Sequence, residues 1–110
     1  MALHPVLLNT VSEKMFQQQI IDLAKLLGWM TYHPFDSRRS TSGYPDLTLL
    51  RPALAERPAR IIFAELKKQK GKVSKAQQVW LQALMSCTAV ETYLWKPGDW
   101  DEIVEVLRRD

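Results

Sequence analysis

A single cysteine, Cys87, occurs in 110 residues, so no disulfide can close within the chain. A fold of this size without such staples fits a reducing, intracellular setting: cytoplasm or nucleoid, or the host cell if the source is viral. No run of about 18 apolar residues is present, which argues against a transmembrane helix and a membrane partner. The N-terminal stretch lacks the basic region and long apolar core of a secretory signal. Internal repeats and low-complexity segments are also missing. Charge of one sign is scarce in excess: 15 Lys and Arg against 12 Asp and Glu leave a net of +3. That mild basicity is compatible with an anionic partner. What is present is an ordinary globular share of hydrophobic residues, 46%, on a length suited to one compact domain over 1–110.

The stretch from Gly43 to Lys67 organises the rest. It holds Gly43-Tyr44-Pro45-Asp46, a short apolar run, a loop, and then Ile61-Ile62-Phe63-Ala64-Glu65-Leu66-Lys67. The last run is rich in β-branched and aromatic residues and reads as a strand. Alternation puts Ile61, Phe63, Glu65 and Lys67 on one face, and Ile62, Ala64 and Leu66 on the other. Both faces are mostly apolar, which predicts a central, buried strand. An acid and a lysine at the end of such a strand are costly without partners. A metal ion is one such partner, with Asp46, at the start of the preceding strand, as a second carboxylate. Asp46 with Glu65-Leu66-Lys67 is therefore a candidate magnesium site for cutting a phosphodiester.

Taken in order, the chain begins with a short lead-in, Met1 to Asn9. A helix is predicted from Thr10 or Ser12 to Leu27, stopped by Gly28, with Phe16, Ile20, Leu23, Ala24 and Leu27 as its apolar stripe. Glu13 and Gln17 lie at the edge of that stripe. On spacing alone, Thr10-x-x-Glu13 reads as a capping box. Trp29 to His33 reads as a short strand broken by Pro34. His33 reads as a packed strand-end residue before it reads as a ligand or base. Arg38 and Arg39, with Ser37, Ser40 and Thr41, form a polar loop that either contacts phosphates or is simply solvated.

Gly43 to Pro45 reads as a turn into a strand from Asp46 to Leu50. Arg51 to Arg60, with Pro52 and Pro58, reads as a long hairpin loop. Five lysines fall within Lys67 to Lys75. Lys68, Lys70, Lys72 and Lys75 make a basic rim beside the carboxylates, read as phosphate-binding or as a solvated charge run. Ser74 is the predicted N-cap of a helix to Ser86 with a buried stripe of Ala76, Val79, Trp80, Ala83 and Leu84. Gln77, one turn in, either reaches the strand end or stays exposed. Val90 to Trp95 is the last predicted strand. Asp99 then caps a helix whose inward face is Trp100, Ile103, Val104 and Leu107, with Arg108 and Arg109 at its C-terminal end. The order α-β-β-β-α-β-α predicts an α/β fold, a mixed sheet flanked by helices, with the last crossover making a parallel strand pair.

These residues in this order resemble the PD-(D/E)xK nuclease fold, literally at Pro45-Asp46 and Glu65-Leu66-Lys67. The likeness is closer to the VRR-NUC family, the virus-type replication–repair nuclease domain. It covers nearly the whole chain: Ser12-Glu13…Phe16, Gly28-Trp29, Gly43-x-Pro45-Asp46, Glu65-x-Lys67 and Ser74-x-x-Gln77-x-x-Trp80-Leu81. The resemblance implies an α-β-β-β-α-β core with a further C-terminal helix, divalent-metal dependence and a DNA substrate. In it a glutamate of the first helix commonly joins the metal cluster, a position Glu13 matches, and Gln77 matches a glutamine after the Glu-x-Lys strand. On that pattern Asp46, Glu65, Glu13 and the Leu66 carbonyl are the ligands for Mg2+ or Mn2+. Lys67 orients water or offsets charge at phosphorus, and Gln77 steadies a ligand or the nucleophile. Standalone relatives look like homodimers on branched DNA such as Holliday junctions, and two-fold symmetry suits paired cuts. The competing readings are a same-fold nuclease acting on flaps or ends, a non-catalytic DNA-binding module in which Glu65 and Lys67 form an internal ion pair, and a structural or protein-binding domain.

Overall fold

The computed structural model describes residues 5–35 and 41–110. Its elements run α1 (Pro5–Leu8), α2 (Glu13–Leu26), β1 (Met30–Tyr32), β2 (Leu47–Arg51), β3 (Arg60–Leu66), α3 (Lys75–Met85), β4 (Glu91–Trp95), a 3-10 turn (Pro97–Asp99) and α4 (Trp100–Arg108). The strands form one sheet in the order β1-β2-β3-β4. β1, β2 and β3 pair antiparallel, and the α3 crossover returns β4 parallel to β3. This is the expected mixed α/β sheet flanked by helices, with β3 in its interior.

The register separates two faces. Leu47 lies opposite Ala64, Leu49 opposite Ile62, and Trp95 opposite Leu66. These side chains meet Phe16, Ile20, Ile21 and Ala24 of α2 and Ile103, Val106 and Leu107 of α4 in one buried core. α2 starts at Ser12, whose hydroxyl accepts from the Met15 N–H at 3.1 Å. It stops where Gly28 takes φ +92 and the Trp29 N–H reaches back to the Ala24 carbonyl at 2.9 Å. Thr10 is not the cap: its hydroxyl bonds the Leu7 carbonyl at 2.7 Å, closing the short α1 that the sequence reading missed.

The other face is only half covered. α3 packs on β3 and β4, with Tyr44 edge-on to both Trp80 and Phe63, at 5.0 and 6.5 Å between ring centres. The predicted stripe of α3 is corrected accordingly. Leu81 is its buried residue, while Val79 and Ala83 face solvent. In α4, Val106 rather than Val104 joins the core. Asp99 stands before α4, but its carboxylate accepts from the Lys96 N–H at 2.9 Å and does not cap the helix.

At one end of the sheet Arg51 and Arg60 are not loop residues but the facing ends of β2 and β3. Both guanidinium groups lie over the Trp29 ring, 5.2 and 5.0 Å from its centre. Arg51 donates to the Arg109 and Asp110 carbonyls at 2.8 and 3.1 Å, and Arg60 to those of Val106 and Arg109 at 3.0 and 2.8 Å. They thereby satisfy carbonyls at the C-terminal end of α4 that the helix leaves without partners. Arg60 also grips Glu91 through two 2.6 Å bonds, which hold the Glu91 carboxyl below its ordinary range. Replacing Glu91 by Gln leaves this guanidinium without its charge partner. Urea denaturation should show a loss of about 1.5–3 kcal/mol, and an unchanged midpoint would remove the pair from the stabilising contacts.

Candidate active site

The opposite end of the sheet gathers the carboxylates. β2 begins just after Asp46 and β3 ends just after Glu65, so antiparallel pairing delivers both to the same edge. The Leu66 N–H donates to Asp46 Oδ2 at 2.8 Å, which ties the aspartate to the last residue of β3. Its approach depends on Gly43. At φ +84 this residue lies so close to the first turn of α3 that a Cβ would collide with the Ala76 carbonyl and stand 2.8 Å from the Gln77 nitrogen. Pro45, behind Asp46, is fully buried. The turn is thus seated on the helix, not suspended above it.

Glu65 is 1% exposed. Its Oε2 accepts from Gln77 Nε2 at 2.8 Å and stands 3.8 Å from Lys67 Nζ. Its Oε1 is buried and finds no hydrogen-bond donor among the described residues. Burial, then the Asp46 carboxylate beside it, push the Glu65 carboxyl up to about 8, against a smaller downward pull from Lys67; the Glu13 charge adds to the rise. Two acceptors side by side need a proton or a cation between them.

Gln77 uses both ends of its amide. Its Oε1 accepts from the Ser74 N–H at 2.9 Å while the Ser74 hydroxyl accepts from the Gln77 N–H at 3.2 Å, completing a capping box. The exposed-glutamine reading is therefore overturned. Glu13 is the first residue of α2 and not the third of a capping box, so its exposed carboxylate is free of that duty.

A cleft of about 230 Å³ opens here, lined by Gln17, Pro34, Gly43, Tyr44, Asp46 and Gln77 among others. Gln17, read from the sequence only as an edge residue of the first helix, joins the cleft one turn after Glu13 on the same helix face. Lys68, Lys70, Lys72 and Lys75 are exposed on the segment from β3 to α3, and Gln69 pins that segment by accepting from the Gly98 N–H at 2.7 Å. His33 is exposed and not packed, with Nδ1 3.3 Å from the Pro34 carbonyl oxygen. Arg38 and Arg39 lie outside the described residues.

Among the described residues no three His, Cys, Asp or Glu side chains form a ready metal cluster. The donor set nonetheless suits a hard cation: an acceptor without a donor at Glu65, a second carboxylate beside it, and a third acid close enough for its charge to be felt.

A VRR-NUC domain family model matches residues 3–94. The chain belongs to the VRR-NUC family. A solved structure described as a VRR_NUC domain shares the fold, with a TM-score of 0.65 and 22% sequence identity, over 84% of this chain and 94% of that one. No curated protein matches the sequence. VRR-NUC is a nuclease domain, so the coarse assignment is a nuclease-type, DNA-processing module. No helix among the described residues is long and apolar enough to cross a membrane.

Two outcomes follow for this VRR-NUC site. Gly43→Ala combines a disfavoured backbone conformation with a collision. It should cost at least about 1–2 kcal/mol in urea denaturation and loosen Asp46 from Gln77, and wild-type stability would show that the turn does not depend on this contact. Second, the folded chain keeps a proton on Glu65 between its ordinary value of 4.5 and about 8, where the unfolded chain has released it. Stability without metal should therefore be greatest at the acid side of this window and fall as pH rises through it. Melting in EDTA should drop by several degrees between about pH 5 and about pH 8.5. Glu65→Gln should flatten the slope, and an unchanged slope would place the proton elsewhere.

Proposed function

We propose that this chain is a Mg2+- or Mn2+-dependent endodeoxyribonuclease that hydrolyses phosphodiester bonds in branched DNA, including four-way junctions, as a homodimer. The observation that carries the catalytic part is the buried Glu65 Oε1, without a donor among the described residues, beside a second carboxylate, with Lys67 Nζ 3.8 Å from the other Glu65 oxygen. The preference for branched DNA and the dimer come from likeness to the family.

Asp46 and Glu65 would hold the cation, with the Leu66 carbonyl and Glu13 as further oxygen donors. A bound divalent ion would supply Lewis-acid polarisation of the phosphodiester and lower the pKa of water beside it. The protein's own groups do the remaining work. The Leu66 N–H fixes one oxygen of Asp46 and Gln77 fixes one of Glu65, so the carboxylates arrive oriented. Lys67 places a positive charge where the phosphorus gains negative charge in the transition state. Lys68, Lys70, Lys72 and Lys75 neutralise flanking phosphates without reading sequence.

The test is cleavage of labelled four-way junction, flap, fork, plain duplex and single strand with Mg2+, Mn2+ or EDTA. Asp46→Ala, Glu65→Ala and Lys67→Ala should each lower the metal-dependent rate by at least about a hundredfold while the chain stays folded. A Glu65→Ala protein that still cuts would sink the assignment of the site. No cutting of any substrate by wild type, with salt-sensitive binding retained, would favour the non-catalytic module in which Glu65 and Lys67 simply pair.

A further inference from the structure

Because α3 packs chiefly on β3 and β4, Met30 and Tyr32 of β1 and Leu50 of β2 remain open on that face of the sheet. Tyr32 pairs with Thr48, which shares a strand face with Asp46 two residues earlier. Diagonal cross-strand neighbours of this kind lie about 7–8 Å apart. Continuing the antiparallel register brings Pro34 beside Asp46, and both line the acidic cleft. Phe35 follows directly. It is 100% exposed and Tyr32 is 63% exposed. Two uncovered aromatic residues therefore flank Pro34 in the chain, at the β1 side of the cleft.

The chemistry of that side differs from the other. Trp29 to Phe35 contains no Lys or Arg, whereas the lysines follow β3, on the far side of β2. Among the described residues, a DNA strand lying in the cleft meets lysines on one flank and planar apolar groups on the other. Phosphate gains nothing from a phenyl or phenol face, but a nucleobase does. Bases inside an intact duplex have both faces taken by their neighbours, so only an unpaired nucleotide offers a free one.

We propose that Tyr32 and Phe35 form a stacking platform for an unpaired nucleotide next to the cleft, which makes branched DNA with an unpaired base beside the cut a better substrate for this site than a fully paired branch. The platform rests on the nuclease reading above but acts without metal. Stacking exchanges no counterions, so it adds affinity without changing the salt dependence that the lysines set.

The experiment is binding in EDTA, where nothing is cut, using single-strand, flap and duplex DNA that carry 2-aminopurine at a paired or an unpaired position. Wild type should quench the unpaired probe and prefer DNA that contains it. Tyr32→Ala with Phe35→Ala should abolish the quench and weaken that binding by about tenfold or more, with an unchanged slope of log affinity against log salt. Tyr32→Phe with Phe35→Tyr should keep both. Retained quench and affinity in the alanine pair would overturn the platform. So would sedimentation showing that the alanine pair turns a wild-type dimer into a monomer, which would give the face to a second copy of the chain. A quench in EDTA from a wild type that never cuts with metal would keep the platform and reject the nuclease. Metal-dependent cutting without any quench would do the reverse.

Discussion

A carboxylate at the end of an interior strand, shut away from water with one oxygen lacking a donor, is the constraint around which the rest is arranged. Glu65 cannot ionise comfortably where it stands, because burial and Asp46 both oppose its charge. The surrounding groups limit that cost without removing it. Gln77 donates to one oxygen, Lys67 lies near the same oxygen, and the Leu66 N–H holds the neighbouring aspartate. A purely structural strand end would have been better served by an apolar residue or a matched pair. Here the arrangement leaves one acceptor over, and a divalent cation matches both its charge and its hardness.

The two ends of the sheet handle buried charge in opposite ways. At the Arg51 and Arg60 end, cations meet helix carbonyls, a glutamate and an indole face. Their partners come from β4, α4 and the segment before β1, so that end stitches the fold together. At the Glu65 end the partners are fewer, one amide and one lysine, and a second carboxylate of the same sign stands beside them. The stability contributed at the first end accompanies a deficit at the second, a distribution expected where a site needs groups that folding alone would not keep.

The site residues were legible because the features that place them are local. Alternation along Ile61 to Lys67 separates Glu65 and Lys67 from Ile62, Ala64 and Leu66 whatever the rest of the chain does. Gly43 and Pro45 mark the turn before Asp46 by their own backbone preferences. Arg51 and Arg60 were misread because a charged residue within two positions of a proline, here Pro52 and Pro58, looks like loop. Their burial depends on α4 carbonyls and Glu91, remote in sequence. Thr10 and Ser12 both suit a helix start, and the bonds of Thr10 to Leu7 and of Ser12 to Met15 decide between them. The face of α3 was misjudged for a related reason. Periodicity assumes a helix lying on a broad apolar surface, and this one covers half a sheet, leaving Val79 and Ala83 outside.

The double use of Gln77 ties chemistry to the fraying of a helix end. One side chain closes the first turn of α3 and steadies Glu65. Helix termini open far more readily than the fold as a whole. Each opening of that turn withdraws the amide that donates to the buried acid and loosens the seat of Gly43 at the same moment. The site consequently has a lower thermal ceiling than the domain: warming dismantles its geometry while the core of α2, α4 and the sheet is still intact.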